Sequence, residues 1–439
     1  MNKYRKRIVE EFIEKKLNKK RFLLIVGPKW CGKTTTGKQI CNSFVDLQDE
    51  TRNLVNNELS RSEIDILLDK PKPLLIDEWQ EVPAIWNVVK RNVDNAKENK
   101  VDYILTGSTI PVENKKINPA VGRVIKIKMS TMSLYETGES SGEVSLNDLL
   151  DPKYKISCSS KLNIDKLLFY ICRGGWPELL FEENDFDDLL STPKDYIEYL
   201  LQNDLQLFKK RYSYSLAHNI LLSYARNIST VDSFKTTYKT LINDLALANI
   251  EVTDKTIASY IKIFKNLYIL EDVNAWTPNI RSKTKIKMSS KKIFSDTSFA
   301  CGLLNLTPPV LKRNIRTLGF FFENFVAHEL NVYLNNRGYL QYYRDDYGLE
   351  CDFILNFNDG LYGLVEVKLG DSEINKAISN MEQIHELLIA KNKKIKNEFQ
   401  KLPYPNFMLV ITGINERGYT TKSKHGIPIH VVPIDCLKN

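Results

Sequence analysis

Apolar and polar residues alternate in blocks along the first third of the chain. Apolar runs of strand length lie at 22–26, 44–47, 73–80, 102–105 and 124–129, and helical stretches separate several of them. Strands that alternate with helices and are apolar on both faces are typical of a parallel sheet covered on both sides. The pattern therefore predicts an α/β domain over residues 1–152.

The middle of the chain changes to helical periodicity. Apolar residues repeat at helical spacing over 195–208 and 219–228, which predicts a helical region at 153–245. A further helix, with Ile257, Tyr260 and Phe264 on one face, precedes a strand pattern and a run of alternating basic residues. That order predicts a winged helix-turn-helix domain at 246–307.

The last part of the chain returns to mixed helix and strand patterns. Their order is α-β-β-β-α-β, with one more strand at the end, and predicts a second α/β domain at 308–439. The elements are a helix at 318–330, strands at 340–346, 349–357 and 361–370, a helix at 374–388, and strands at 407–413 and 428–434.

The first apolar strand runs into a glycine turn with the spacing G-x-x-x-x-G-K-[ST]. Glycines allow backbone N–H groups to approach phosphate oxygens, and the following helix presents its positive end to the same anion. Lys33 is expected to reach the β- and γ-phosphates, and the Thr34 hydroxyl to ligate Mg²⁺. A chance match in a glycine turn is the alternative, which the strand before it and the helix after it disfavour. The predicted loop residues are Gly27, Pro28, Lys29, Trp30, Cys31, Gly32, Lys33, Thr34 and Thr35.

Polar side chains follow the next predicted strands. Asp77 and Glu78 end an apolar strand, where ligands bind in such sheets. Asp77 is expected to hold Mg²⁺ through water and Glu78 to polarise the attacking water, unless both are solvated acids at a strand end. Thr106 either senses the γ-phosphate or caps a turn. Arg123 either acts as an arginine finger on a neighbouring subunit's nucleotide or is an ordinary surface arginine.

Composition limits the classes of protein that remain. The 439 residues carry 62 Lys and Arg against 54 Asp and Glu, a net charge of +8, which permits a polyanionic partner without requiring one. The seven cysteines form no C-x-x-C pair, so reduced thiols in a cytoplasm are expected. No stretch approaches the roughly 18 uncharged apolar residues of a membrane span. These features predict a cytoplasmic protein without a membrane anchor.

Four stretches resemble the ATPase domain of a widespread prokaryotic AAA+ family whose members carry a C-terminal domain of unknown function. They are, in order, GPKWCGKTT, LLIDEWQEVP, YILTGS and GRVIKIKMSTMSLYE. Lys29, Trp30 and Cys31 depart from the usual GPRQVGKTT at variable loop positions. The resemblance is strong over the first third and continues more weakly to the end. The ICRGGWPE stretch at 171–178, just after the ATPase core, also resembles that family and makes Arg173 a second nucleotide-sensing candidate. It implies ATP as the nucleotide.

A second group of acids lies in the C-terminal domain. Glu366 and Lys368 share one face of a strand, and Asp352 lies on the adjacent strand. Two carboxylates for Mg²⁺ beside an ammonium group can hydrolyse a phosphodiester. The group resembles the PD-(D/E)XK nuclease motif, with Glu323 as the helix glutamate. The alternative is a degenerate fold in which Lys368 merely pairs with the acids.

Three functions are consistent with these features. The first is an ATPase coupled to a metal-dependent nuclease that acts on double-stranded DNA. The second is an ATP-switched DNA-binding or regulatory protein with an inert nuclease fold, and the third is a signalling scaffold whose nucleotide state gates homo-oligomerisation. The basic residues expected to contact phosphates, unless they line a solvated loop, are Lys255, Lys262, Lys265, Arg281, Lys283, Lys285 and Lys287.

Overall fold

The chain folds into two compact units. The first unit comprises residues 1–131, 176–181 and 266–268, and the second comprises 132–175, 182–265 and 269–439. The computed structural model describes residues 4–48, 59–107, 120–180, 186–207, 212–230, 234–247, 249–279, 288–345 and 347–439, with the backbone alone at 186–190, 206–207 and 234–238.

The first unit is built on a five-stranded parallel sheet, which confirms the predicted α/β class. The strand order is β2-β3-β4-β1-β5. The strands are β1 Phe22–Val26, β2 Ser43–Asp46, β3 Leu74–Asp77, β4 Tyr103–Gly107 and β5 Val124–Lys128, and the helices are α1 Ile8–Glu14, α2 Lys33–Ile40, α3 Arg61–Leu68 and α4 Ala84–Asn95.

Both faces of this sheet are buried. Successive residues of β1 point to opposite sides, so that Leu24 packs in the cluster with Trp86 of α4 while Ile25 packs in the cluster with Ile13 of α1. All five residues of β1 are buried. Burial on both sides explains why the strand is apolar throughout, and it holds the loop that follows β1 on a rigid base.

The second unit contains ten helices among the described residues, including those predicted at 195–208 and 219–228. They are α5 Leu134–Thr137, α6 Ile164–Arg173, α7 Phe186–Asn203, α8 Tyr214–Arg226, α9 Phe234–Leu247, α10 Asp254–Asn266, α11 Thr297–Leu303, α12 Pro308–Lys312, α13 Ile315–Leu334 and α14 Ile374–Lys393.

A nine-stranded sheet in the order β7-β14-β15-β13-β12-β11-β10-β8-β9 forms the centre of the second unit. β10, β11 and β12 are antiparallel neighbours, whereas β12, β13 and β15 run parallel. A separate pair is formed by β6 and β16. The strands are β6 Val144–Ser145, β7 Ser157–Ser159, β8 Leu270–Ala275, β9 Lys291–Phe294, β10 Gly338–Arg344, β11 Glu350–Phe357, β12 Tyr362–Lys368, β13 Phe407–Thr412, β14 Arg417–Lys422, β15 Pro428–Pro433 and β16 Leu437–Lys438. The predicted α-β-β-β-α-β order is present as α13, β10, β11, β12, α14 and β13.

These units differ from the predicted boundaries at 152, 245 and 307. β6, predicted to belong to the ATPase domain, pairs with β16 in the second unit, and β7, predicted to belong to the helical region, pairs with β14. β8 and β9, predicted as part of a separate winged-helix domain, extend the large sheet through the pairing of β8 with β10. The cause is the same in each case, because strands of two to six residues pair with partners far away in sequence, which a local pattern does not reveal.

Candidate active site

The phosphate-binding loop lies at the carboxyl end of β1, the strand that lies between β4 and β5 in the sheet. Gly27 has no space for a side chain, because a Cβ atom there would lie 2.0 Å from the Met129 carbonyl oxygen. Gly32 has φ +96°, a left-handed conformation that glycine adopts without strain. The backbone of the loop therefore requires the two glycines of the motif at their positions.

Lys33 is buried beneath this loop. Its Nζ donates hydrogen bonds to the carbonyl oxygens of Gly27, at 3.1 Å, and Pro28, at 2.7 Å. Because α2 begins at Lys33 itself, the lysine ammonium group and the positive end of the helix both place positive charge beside the loop. This is the arrangement that favours a bound phosphate.

Asp77 lies at the end of β3, opposite the start of α2. The Thr34 hydroxyl donates to the two carboxylate oxygens of Asp77 at 2.8 and 3.0 Å, and the Thr106 hydroxyl also bonds to Asp77. Burial raises the pKa of Asp77, and the two hydroxyl hydrogen bonds oppose this increase. Hydroxyl and carboxylate oxygens are the ligands that Mg²⁺ prefers, so Thr34 and Asp77 fit this ion.

Glu78 follows Asp77 in a left-handed conformation, with φ 49° and ψ 51°. Such a conformation is uncommon for a residue other than glycine and is frequent at functional sites. Its N–H donates to the Thr106 hydroxyl at 3.3 Å, and its carboxylate accepts a hydrogen bond from the Gln80 side chain. Thr106 thus bonds to both Asp77 and Glu78, and its role toward the γ-phosphate stays a prediction. Gln80 is a neighbour of Glu78 that the sequence did not indicate.

The other predicted loop residues lie around this centre. Trp30 is 52% exposed and Thr35 is exposed, whereas Cys31 is buried with its thiol 3.7 Å from the Met129 carbonyl. Lys29 is half-buried. The neighbouring Ser108 and Thr109 lie outside the described residues.

Arg7 supports the loop from the segment before α1, and sequence reasoning missed it. Its buried guanidinium group donates to the Cys31 carbonyl at 2.7 Å and to the Ser130 carbonyl at 2.8 Å. Tyr4, nearby, donates from its hydroxyl to Glu10 at 2.6 Å and lies 3.1 Å from the Thr36 hydroxyl of α2. The sequence shows a charged residue at the start of an amphipathic helix, but this pattern does not predict which carbonyl groups its guanidinium group contacts.

Each of the two candidate arginines forms an ion pair with a carboxylate of its own unit. Arg123 precedes β5, whose first residue Val124 pairs with Phe22, so it lies at the amino edge of the parallel sheet, and it forms an ion pair with Asp94. Its predicted role toward another subunit stays a prediction. Arg173 is buried and makes a two-pronged ion pair with Glu139, at 2.8 and 2.7 Å.

The acids predicted in the C-terminal domain do come together. The Lys368 ammonium lies 2.7 Å from Glu366 and 3.5 Å from Asp352, and the Val367 N–H donates to Asp352 at 2.8 Å. The adjacent register of β11 and β12, with Phe353 opposite Val365, explains this meeting.

Glu323 of α13 joins the same cluster through a lysine that sequence reasoning missed. Lys291, at the start of β9, forms an ion pair with Glu323 and donates to the Asp352 carbonyl at 2.9 Å. Burial, and to a smaller extent the charge of Asp352, raises the pKa of Glu323 to about 7 despite Lys291. Burial and Asp352 also raise the pKa of Glu366. Burial lowers the pKa of Lys368, but the charges of Asp352 and Glu366 outweigh it and raise that pKa overall.

The metal ion predicted at Asp352, Glu366 and Glu323 stays a prediction. In the part of the chain that the structure describes, no three His, Cys, Asp or Glu side chains are placed to hold a metal ion. Lysine ammonium groups contact the carboxylates instead, which is the pairing that the degenerate-fold alternative predicts.

The basic residues predicted to contact DNA are only partly described. Lys255 and Lys262 are exposed on α10, seven residues apart and hence on the same face, and Lys265 lies 2.6 Å from Asp272. Arg281, Lys283, Lys285 and Lys287 lie outside the described residues. None of the described helices is both long and apolar enough to cross a membrane.

Comparison with known families divides the chain into three matched segments. Residues 19–138 match the model of a family described as an AAA domain. Residues 164–310 and 318–431 match two families described as domains of unknown function, DUF8612 and DUF4143. The AAA match and the geometry of the loop support a P-loop ATPase of the AAA+ class in the first segment.

Two similar proteins carry names that describe them as uncharacterised. They are Rv2008c of Mycobacterium tuberculosis and Mb2031c of Mycobacterium bovis, each 22% identical over 359 residues, which is 81% of this chain and 72% of the relative.

Among solved structures, the Walker-type ATPase PABY2304 of Pyrococcus abyssi is 12% identical and covers 67% of this chain and 93% of its own, with a TM-score of 0.40. The Aeropyrum pernix ORC1 protein in complex with DNA is 10% identical and covers 72% and 95%, with a TM-score of 0.27. At scores this low, neither structure carries an argument about this chain.

Proposed function

We propose that this protein binds and hydrolyses ATP in its first unit and uses the nucleotide state to control the second. The observation that carries the proposal is the meeting of Lys33, Thr34 and Asp77 beside a loop whose backbone requires glycine at Gly27 and Gly32. The match of residues 19–138 to an AAA domain supports the same conclusion.

Each residue has a part in this chemistry that follows from its position. Loop N–H groups and Lys33 bind the phosphates, and Thr34 and Asp77 hold a Mg²⁺ ion that, when bound, offsets charge on the transferred phosphoryl group. Glu78, oriented by Gln80, positions the water that attacks the γ-phosphate. Thr106 keeps Asp77 and Glu78 at a fixed separation through its two hydrogen bonds.

Steady-state ATP hydrolysis and nucleotide binding by calorimetry test the proposal. We expect Lys33→Ala to lose binding and hydrolysis together, and Glu78→Gln to retain binding while hydrolysis falls about 10²–10⁴-fold. Lys38→Ala, which removes an exposed lysine from the same helix, is the control and is expected to retain both. Hydrolysis that persists in Lys33→Ala would contradict the proposal.

A second candidate function is Mg²⁺-dependent cleavage of double-stranded DNA by the second unit. The observation in its favour is that Asp352, Glu366 and Lys368 meet on adjacent strands. Plasmid cleavage that requires Mg²⁺ and disappears in Asp352→Ala would establish it. DNA binding without cleavage would instead favour the ATP-switched binding protein.

Partners and compartment are proposals of the same kind. The exposed Lys255 and Lys262 on one face of α10 support contact with DNA phosphates, and the trans role of Arg123 requires a homo-oligomer. Light scattering with and without ATP measures the oligomer. All seven cysteines are free thiols, which supports a reducing cytoplasm.

A further inference from the structure

Lys291 lies outside every motif of the sequence, yet its ammonium group is at the centre of the C-terminal acidic cluster. This lysine begins β9, and its side chain is only 6% exposed. Its Nζ pairs with the Glu323 carboxylate, donates a second hydrogen bond to the Asp352 carbonyl oxygen at 2.9 Å, and lies 4.8 Å above the centre of the Phe353 ring. Every one of these partners favours a positive charge at this point.

The cluster contains three acids, Glu323, Asp352 and Glu366, together with two ammonium groups. Lys368 pairs with Glu366 and Asp352, and Lys291 pairs with Glu323. A carboxylate that is taken out of water is costly unless a cation compensates it. The two lysines supply that compensation from within the chain.

A divalent ion bound between Glu323 and Asp352 would need oxygen atoms that Lys291 already contacts. Carboxylate and backbone carbonyl oxygens are the ligands of Mg²⁺ and Mn²⁺, and here a Glu323 oxygen and the Asp352 carbonyl both bond to Lys291. Two cations cannot share these ligands at close range, because their repulsion in a poorly solvated site is strong. Lys291 and a metal ion at this position therefore exclude each other.

We propose that Lys291 is the resident cation of this cluster, and that its ammonium group takes the place of a divalent metal ion between Glu323 and Asp352. The inference concerns the second unit alone and does not depend on ATP hydrolysis. It implies that the acidic cluster is complete without a metal ion, and it therefore competes with the second candidate function, Mg²⁺-dependent cleavage.

Mn²⁺ binding by the full chain, followed by electron paramagnetic resonance without nucleotide, tests the proposal. All proteins carry Asp77→Asn, which removes a ligand of the first unit's predicted ion. We expect no Mn²⁺ site that depends on Asp352 with Lys291 present. Lys291→Met, which retains most of the apolar volume, should gain one site at least about tenfold tighter, and adding Asp352→Asn should remove it.

The adjacent lysine provides a matched control. Lys292 is also buried on β9, but its Nζ lies 3.1 Å from the Thr230 hydroxyl, so Lys292→Met should gain no Mn²⁺ site. Lys291→Arg, which keeps the charge, should gain none either. If Lys291→Met does not fold alone, recovery of the fold by millimolar Mn²⁺ supports the proposal, and failure to recover overturns it.

Two other results would overturn the proposal. One is an Asp352-dependent Mn²⁺ site with Lys291 in place, and the other is a folded Lys291→Met protein that binds Mn²⁺ no more tightly. Neither result bears on ATP hydrolysis, which is measured separately with Lys33→Ala. A wild-type protein that does not hydrolyse ATP would likewise leave the proposal for Lys291 unaffected.

Discussion

At the scale of single residues, the phosphate-binding loop and the C-terminal acidic cluster have one feature in common. In each, a basic side chain from outside the sequence motif bonds to a backbone carbonyl group of the motif. Arg7 donates to the carbonyl group of Cys31 within the phosphate-binding loop, and Lys291 donates to the carbonyl group of Asp352. Both side chains are buried, with 4% of each residue exposed. A hydrogen bond from a charged donor is stronger than one from a neutral donor. Each contact therefore fixes a carbonyl group that would otherwise need another hydrogen-bond donor.

Replacing Arg7 is expected to loosen the phosphate-binding loop. Arg7→Met leaves the carbonyl groups of Cys31 and Ser130 without their charged donor, which should cost roughly 1.5–3 kcal/mol of unfolding free energy. ATP affinity should fall about tenfold, since part of the binding energy must then order the loop. Calorimetric titration and thermal unfolding measure the two effects.

Arg21→Met is the control for this change, because Arg21 is exposed in the same unit. It should leave ATP affinity and stability within error of wild type. Unchanged affinity in a folded Arg7→Met protein would show that the loop is ordered by other contacts.

At the scale of elements, an ion pair joins the end of α6 to the segment after α5. Arg173 is the last residue of α6 and binds Glu139 through both guanidinium Nη atoms, while its Nε donates to the Gly174 carbonyl at 3.0 Å. Its guanidinium group also lies over the Phe169 and Tyr170 rings. These contacts account for all the hydrogen bonds described for the guanidinium group, and its role in nucleotide sensing stays a prediction.

Breaking this pair is expected to affect stability rather than ATP binding. Arg173→Met should lower the free energy of unfolding by about 3–5 kcal/mol, because it removes a buried partner of Glu139. The double variant with Glu139→Met should recover part of that loss, since no unpaired charge remains. Chemical denaturation of the three proteins gives the coupling energy, and a weakened ATP affinity in Arg173→Met would restore the sensing role.

At the scale of the whole molecule, the second unit is assembled from segments that are remote in sequence. β7 pairs with β14, β6 with β16 and β8 with β10. Its stability therefore depends on residues near the end of the chain. His430 of β15 is one of them, fully buried, with its Nδ1 2.9 Å from the Thr420 hydroxyl.

Mild acid is expected to destabilise this unit through His430. Burial lowers the pKa of His430 from an ordinary value of 6.5 to about 4. Because the unfolded state takes up a proton first, this contribution to stability is present above about pH 6.5 and is lost as the pH falls toward 4. The loss at pH 5 should be about 2 kcal/mol.

Chemical denaturation at pH 7 and pH 5 measures this change. His430→Gln should remove this part of the pH dependence, whereas replacement of the exposed His425 by glutamine should leave it in place. An equal loss of stability in wild type and His430→Gln would assign the acid sensitivity to other groups.

The local sequence pattern was sufficient to predict those features of the fold and site that depend on consecutive residues. The strand at Phe22–Val26 and the requirement for glycine at Gly27 and Gly32 are confirmed by the structure. The α-β-β-β-α-β order and the meeting of Asp352, Glu366 and Lys368 also followed from alternation along β11 and β12. Such features depend on neighbouring residues or on strands next to each other in the chain, so the periodicity of apolar residues is enough to predict them.

The amino-acid sequence by itself determined the parallel sheet with its phosphate-binding loop and the carboxylate–lysine grouping of the second unit. Only the tertiary structure decided where the units divide, that Arg7 supports the loop, and that Lys291 enters the acidic cluster. Lys291 and Glu323 are separated by 32 positions in the chain, yet their charged atoms form an ion pair. The physical reason is that a local pattern specifies which face of an element is buried, whereas the partner of a buried charge is set by how distant elements pack.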